Sequence, residues 1–124
     1  MKIVNSKKAP EPIGPYSHAV VVKNLVFVSG TIAIDPATGK MVSGGVKEQT
    51  ERVLANIRAV LKAAGTSEKS VAKTTVFIKD ASMFKEMNEA YAKFFGKHKP
   101  ARATLVTGFA KDDVLVEIEA VASR

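Results

Sequence analysis

Apolar residues recur at helical spacing in two stretches of the chain, and most of the remaining apolar residues fall in short runs typical of strands. Between Val46 and Ala64 the positions Val46, Thr50, Val53, Leu54, Ile57, Val60, Leu61 and Ala64 follow the i, i+3, i+4, i+7 rhythm of a helix with one buried stripe. Gly65 is placed to cap that helix, and Glu48 and Arg52 are spaced for a supporting ion pair. A second helix is predicted from Ser82, as its N-cap, to Gly96. Its apolar stripe is Phe84, Met87, Tyr91 and Phe95, with Asn88 inside it. An amide at a core-facing position needs hydrogen-bond partners. Tying down a neighbouring loop is the simpler use for it, and contact with a ligand the more specific one.

Ser17 to Val22 and Leu25 to Ser29 are β-branched runs joined by Lys23-Asn24, a two-residue connection suited to a hairpin. Gly30 and Thr31 to Ile34 follow, then the turn signal Asp35-Pro-Ala-Thr-Gly39, a short return over 40–42 and the loop Ser43-Gly44-Gly45. Val71 to Lys79, Pro100 to Val106 and Val114 to Ala122 complete the predicted strands. The order β-β-β-α-β-α-β-β predicts an α+β domain over residues 1–124, with two helices covering one face of a mixed sheet. The last strand turns Val116, Ile118 and Ala120 one way and Leu115, Glu117, Glu119 and Val121 the other. That second face is part apolar and part acidic, which suits an oligomer interface or a cleft better than bulk water.

Composition narrows the chemistry. With 124 residues the chain fits one compact domain, and the apolar runs fall short of the roughly 20 residues needed to cross a bilayer. The charged start, Met1-Lys-Ile-Val-Asn-Ser-Lys-Lys, lacks the apolar segment of a secretory signal, so a cytoplasmic protein is expected. With no cysteine there is no disulfide, no thiol nucleophile and no cysteine-based zinc site. His18 and His98 are too far apart in sequence to suggest a metal-ligand motif, and a metal-free protein is expected. The net charge of +7 raises the question of nucleic acid. The lysines are scattered and no aromatics interleave with them, so a solvated basic surface is preferred to a nucleic-acid site.

Arg102 is the one charge between Lys99 and Lys111, within the run Pro100-Ala-Arg-Ala-Thr-Leu-Val106. A guanidinium on a strand must be satisfied, and its planar fork matches a carboxylate two-pronged. The residues leave two readings open: a structural pair with Glu117 or Glu119, or an anchor for an acidic small molecule beside a general base.

Eight motifs then occur in family order: Ile13-Gly-Pro-Tyr-Ser-His-Ala-Val20, Val28-Ser-Gly30, Asp35-Pro-Ala-Thr-Gly39, Lys73-Thr-Thr-Val-Phe-Ile-Lys-Asp80, Asn88-Glu-Ala-Tyr91, Phe94-Phe95, Pro100-Ala-Arg102 and Val116-Glu-Ile-Glu-Ala120. Together the chain resembles the Rid (YjgF) family over nearly its whole length, most closely the RidA subgroup. The resemblance implies a chorismate-mutase-like fold, a homotrimer with clefts between subunits, and hydrolysis of 2-imino acids and their enamines to 2-keto acids and ammonia. It implies that Arg102 grips the substrate carboxylate, that Glu117 positions or activates water, and that Tyr16 lines the cleft from the adjoining subunit. Ser29, Gly30 and Asn88 match further positions near the site, and Thr104 stands where the subgroup often has cysteine. A non-catalytic carboxylate-binding or chaperone-like module and an RNA-directed role are the competing classes. The intact Glu117 favours an enzyme over the former, and the missing stacking platform counts against the latter.

Overall fold

The computed structural model describes residues 1–124. Its strands are β1 (Lys2–Val4), β2 (Ala19–Val22), β3 (Leu25–Thr31), β4 (Val71–Ile78), β5 (Ala101–Val106) and β6 (Val116–Ser123). The helices are α1 (Val46–Ala63) and α2 (Phe84–Phe95). One six-stranded sheet runs in the order β1-β2-β3-β6-β4-β5. All neighbours are antiparallel except β4 and β5, which are parallel because α2 carries the chain back across the sheet between them. The mixed α+β architecture with both helices on one face is therefore the one expected.

Alternation along the strands decides which residues meet the helices. Val26 and Val28 on β3, Thr74, Val76 and Ile78 on β4, and Val116, Ile118, Ala120 and Ala122 on β6 are all buried. They close on Val53, Leu54, Ile57 and Leu61 of α1 and Met87, Tyr91 and Phe95 of α2. Side chains such as Leu54, Ile57 and Ile118 each contribute on the order of 2 kcal/mol by leaving water. The opposite face keeps Leu25, Phe27 and Leu105 exposed, with no layer of the chain over them.

Local chemistry explains the element ends. Lys23 takes a left-handed conformation (φ 53°) to turn the β2–β3 hairpin. Gly65, at φ 84°, ends α1: its N–H reaches the Lys62 carbonyl while the Thr66 N–H reaches that of Leu61. Gly96, at φ 61°, ends α2.

Three expectations are corrected and one strand is added. Glu48 does not pair with Arg52, because its carboxylate accepts the free N–H of Gly45 at 2.9 Å, a bond that holds its pKa below the usual range. Arg52 instead donates to Asn56 Oδ1. Ser82 is not the N-cap of α2: its hydroxyl donates to Asp80 within a 3₁₀ turn over Ala81–Met83, and α2 begins at Phe84. The 40–42 return is a single bridge, Ile34 to Met41, while β3 runs on through a bulge to Thr31. Finally, β1 pairs with β2 although its three residues are too short to show alternation.

Two buried amides fix the ground beneath the candidate site. Gln49 donates to the Asp113 carbonyl and accepts from the Leu115 N–H, holding the chain just ahead of Glu117. Asn56 donates to the carbonyls of Ile32 and Ile34, holding the chain just after Gly30.

Candidate active site

Strand β6 sets Glu117 opposite Phe77 of β4, on the face without helices. The carboxylate lies against Gly30, where β3 bulges. A Cβ built on Gly30 would overlap Glu117 Oε2 and come within 3.1 Å of its Cδ. Only glycine leaves this space. Burial raises the Glu117 pKa above the ordinary carboxylate range, and the negative charge of Glu119 raises it further. A half-buried carboxyl that holds its proton more tightly than usual is suited to accept one from water near neutral pH.

Around Gly30 the loop through Tyr16 closes a cleft with Ser29, Thr31 and His18. The Ser29 hydroxyl donates to the Ser17 carbonyl at 2.6 Å, and Thr31 donates to the Ser29 carbonyl. His18 fastens the loop at both ring nitrogens: Nδ1 accepts the Ser6 N–H at 2.9 Å and Nε2–H donates to the Pro10 carbonyl. Tyr16 remains 45% exposed at the rim, open to a neighbouring molecule.

Arg102 lies elsewhere. In the parallel register it faces Thr74, and its guanidinium sits over the rings of Tyr91 and Phe84 on α2. Thr104 follows two residues later on the same face. Asn88, Tyr91, His98, Lys99 and Arg102 line one hollow. The Asn88 Oδ1 is enclosed there without a hydrogen-bond partner. The expected loop-tying bond is thus not made by that oxygen, and its capacity to accept a hydrogen bond is unmet within the chain.

The register separates the two groups. Arg102 pairs with Thr74, which is buried under the helices, whereas Glu117 pairs with Phe77, three residues further along β4. Positions three apart on a strand point to opposite faces. Glu117 therefore lies against Gly30 on the open face, Tyr16 and Ser29 share the cleft that Gly30 lines, and Arg102 and Asn88 share a hollow on the helix side, with Thr104 on the same face of β5. The chain's one ion pair is Arg58–Glu68, so the structural Arg102–glutamate pair that the residue types allowed is not formed. No three His, Asp or Glu side chains stand close enough together to hold a metal ion. No helix is long and apolar enough to cross a membrane.

Sequence reasoning missed Tyr91 and Thr74 as neighbours of Arg102, since both read as core. The available signal was the i, i+3 spacing of Asn88 and Tyr91 on a helix returning over the strand that bears Arg102.

Gly30→Ala tests the contact with Glu117. The atom displaced is the far end of a flexible side chain, so the variant should keep its melting temperature within a few degrees. The carboxylate must nevertheless move, so the Glu117 pKa, followed by NMR titration, should differ from that of the native chain; an unchanged value would show that the carboxylate does not depend on the space at Gly30.

The fold is an α+β sheet of the chorismate-mutase-like kind with an unpaired arginine and an unpaired glutamate on its opposite faces, and comparison with known proteins shows the family it belongs to. The family model described as endoribonuclease L-PSP matches residues 6–124. A RutC family protein of Pyrococcus abyssi is 50% identical over 123 residues, covering 99% of this chain and 97% of the relative. The human 2-iminobutanoate/2-iminopropanoate deaminase is 42% identical over 121 residues, covering 98% and 88%. The crystal structure of E. coli TdcF with bound serine superposes with a TM-score of 0.94 at 38% identity, covering 100% and 99%. The chain belongs to the endoribonuclease L-PSP family, the YjgF/RutC or Rid proteins, and is related across its length to imine deaminases.

Proposed function

We propose that the protein hydrolyses 2-imino acids of the 2-iminobutanoate and 2-iminopropanoate kind, in clefts where the Glu117 half-site of one subunit meets the Arg102 half-site of the next in a homotrimer. The observation that carries this reading is the pair of charged groups without ion-pair partners on opposite faces of one sheet. A cyclic assembly brings such halves together once per interface. The uncovered face with Phe27 and Leu105 supplies apolar surface for that assembly.

In the proposed mechanism Arg102 grips the carboxylate two-pronged and Asn88 accepts a donor of the bound substrate. The imine carbon, electrophilic once its nitrogen is protonated, faces Glu117. Glu117 takes a proton from water as the oxygen bonds to that carbon, giving a carbinolamine. Glu117 passes that proton to the nitrogen, and as the C–N bond breaks it takes back the hydroxyl proton while the C=O bond forms; the released ammonia carries this last proton away as ammonium. The relative with bound serine, an amino acid with the same carboxylate, supports a substrate of this class. No cofactor enters these steps, and the proposed location is the cytoplasm.

Two measurements on the purified protein test the reading. It should accelerate the loss of enzymatically generated 2-iminobutanoate, followed by the imine absorbance. Sedimentation equilibrium should return three times the chain mass of 13.3 kDa. A stable monomer at micromolar concentration would remove the composite site. A trimer that binds 2-keto acids without hydrolysing imines would favour the non-catalytic carboxylate binder instead.

A further inference from the structure

Arg102 has a long, flexible side chain on the last strand of the sheet, and no carboxylate of its own chain holds it. Its Cζ nevertheless sits 4.8 Å from the centre of the Tyr91 ring and 5.8 Å from that of Phe84, within the roughly 6 Å reach of a cation–π contact. Tyr91 and Phe84 lie two helical turns apart on one face of α2, with Asn88 between them. The Tyr91 ring is itself fixed. Its hydroxyl shares a 2.6 Å hydrogen bond with the Thr74 hydroxyl, and the Phe95 ring packs 4.7 Å away. Thr74 is fully buried and stands directly across from Arg102 in the β4–β5 register.

We propose that the Tyr91 ring, packed against Phe95 and further steadied by its hydroxyl bond to Thr74, is a positioning residue whose face holds the Arg102 guanidinium ready for a substrate carboxylate. This rests on the reading of Arg102 as the carboxylate anchor. A guanidinium stacked on a ring face keeps its N–H edge free, because the ring occupies the plane of the fork and not its donors. An arginine already ordered loses less freedom when it binds, which appears as affinity. Burial raises the Tyr91 pKa and keeps the phenol neutral, so the tether to Thr74 persists across the working pH range.

The test compares two double variants, T74V/Y91L and T74V/Y91F, neither of which leaves a buried hydroxyl unpaired. T74V/Y91L removes the ring. It should weaken calorimetric pyruvate binding and raise the KM for 2-iminobutanoate about three- to tenfold, while kcat stays within about twofold. T74V/Y91F restores the ring face and should recover most of that loss. A purely structural Tyr91 would lower the melting temperature without this KM-against-kcat split or the rescue by phenylalanine, and that pattern overturns the proposal. A second measurement needs no destabilised variant. The Arg102 δ-proton resonances of the wild type, assigned by their disappearance in R102K, should be shifted upfield by the Tyr91 ring. Random-coil positions for them overturn the platform whatever Arg102 binds. Absence of pyruvate binding in the wild type, with the upfield shift present, overturns the carboxylate reading of Arg102 and with it the purpose proposed for Tyr91.

Discussion

Glu117→Gln is expected to lower turnover of 2-iminobutanoate by about 10²–10⁴-fold while pyruvate affinity stays near that of the wild type. Glutamine keeps the shape against Gly30 but cannot accept a proton from water. The pH profile should change with it. Burial and the Glu119 charge raise the Glu117 pKa, so the acid limb of wild-type kcat should lie above the ordinary carboxylate range, and the variant should lack that limb. Stability should move in the opposite sense to activity. A carboxyl whose folded pKa is raised binds its proton more tightly in the native state, so its ionisation subtracts stability as pH rises. That loss is absent below the unfolded pKa and complete above the folded one. The melting temperature of E117Q should therefore exceed that of the wild type near pH 8 and match it near pH 4. Full turnover in the variant would exclude Glu117 as the base and direct attention to Glu119, the next acidic residue on that face. Equal melting temperatures at both values would show that the folded chain does not strain the carboxylate.

The helices were legible because their stripes are long: the reading of Val46 to Ala64 lies within a residue of the observed α1. The last strand was legible for a similar reason. Val116, Ile118 and Ala120 alternate cleanly with Glu117 and Glu119, and the burial pattern follows that alternation. Strand β5 carries no such information. Ala101, Arg102, Ala103 and Thr104 define no apolar side, so only pairing with β4 reveals that Arg102 lies on the helix face. Two-residue periodicity orders the faces within one strand and is silent about their relation between strands. That is why Arg102 and Glu117 could be picked out as chemistry yet not placed on opposite faces. Side-chain competition hid the rest. Glu48 satisfies the start of α1 in preference to Arg52, and Ser82 bonds to Asp80 in preference to the helix backbone, choices that depend on local backbone geometry.

Arg102→Lys should fold and assemble normally yet lose tenfold or more in affinity for pyruvate or 2-oxobutanoate. An ammonium keeps the charge but replaces two parallel hydrogen bonds with one point contact, and a charge-assisted hydrogen bond is worth roughly 1.5–3 kcal/mol. Calorimetric titration alongside thermal melts separates the possible roles. A ligand anchor loses binding with little change in melting temperature, whereas a structural cation loses melting temperature with no ligand to lose. Because Glu117 and Arg102 face away from each other in one chain, the same variant also tests where the site lies. E117Q subunits retain a working Arg102 half, and R102K subunits retain a working Glu117 half. Unfolded and refolded together in equal amounts, they should regain about a quarter of the wild-type sites, the random-mixing value for a cyclic assembly with one composite site per interface. Each variant refolded alone should stay impaired. If the mixture is no more active than the average of its parts, both groups act within one chain, and the separation of the half-sites across the sheet has no catalytic meaning.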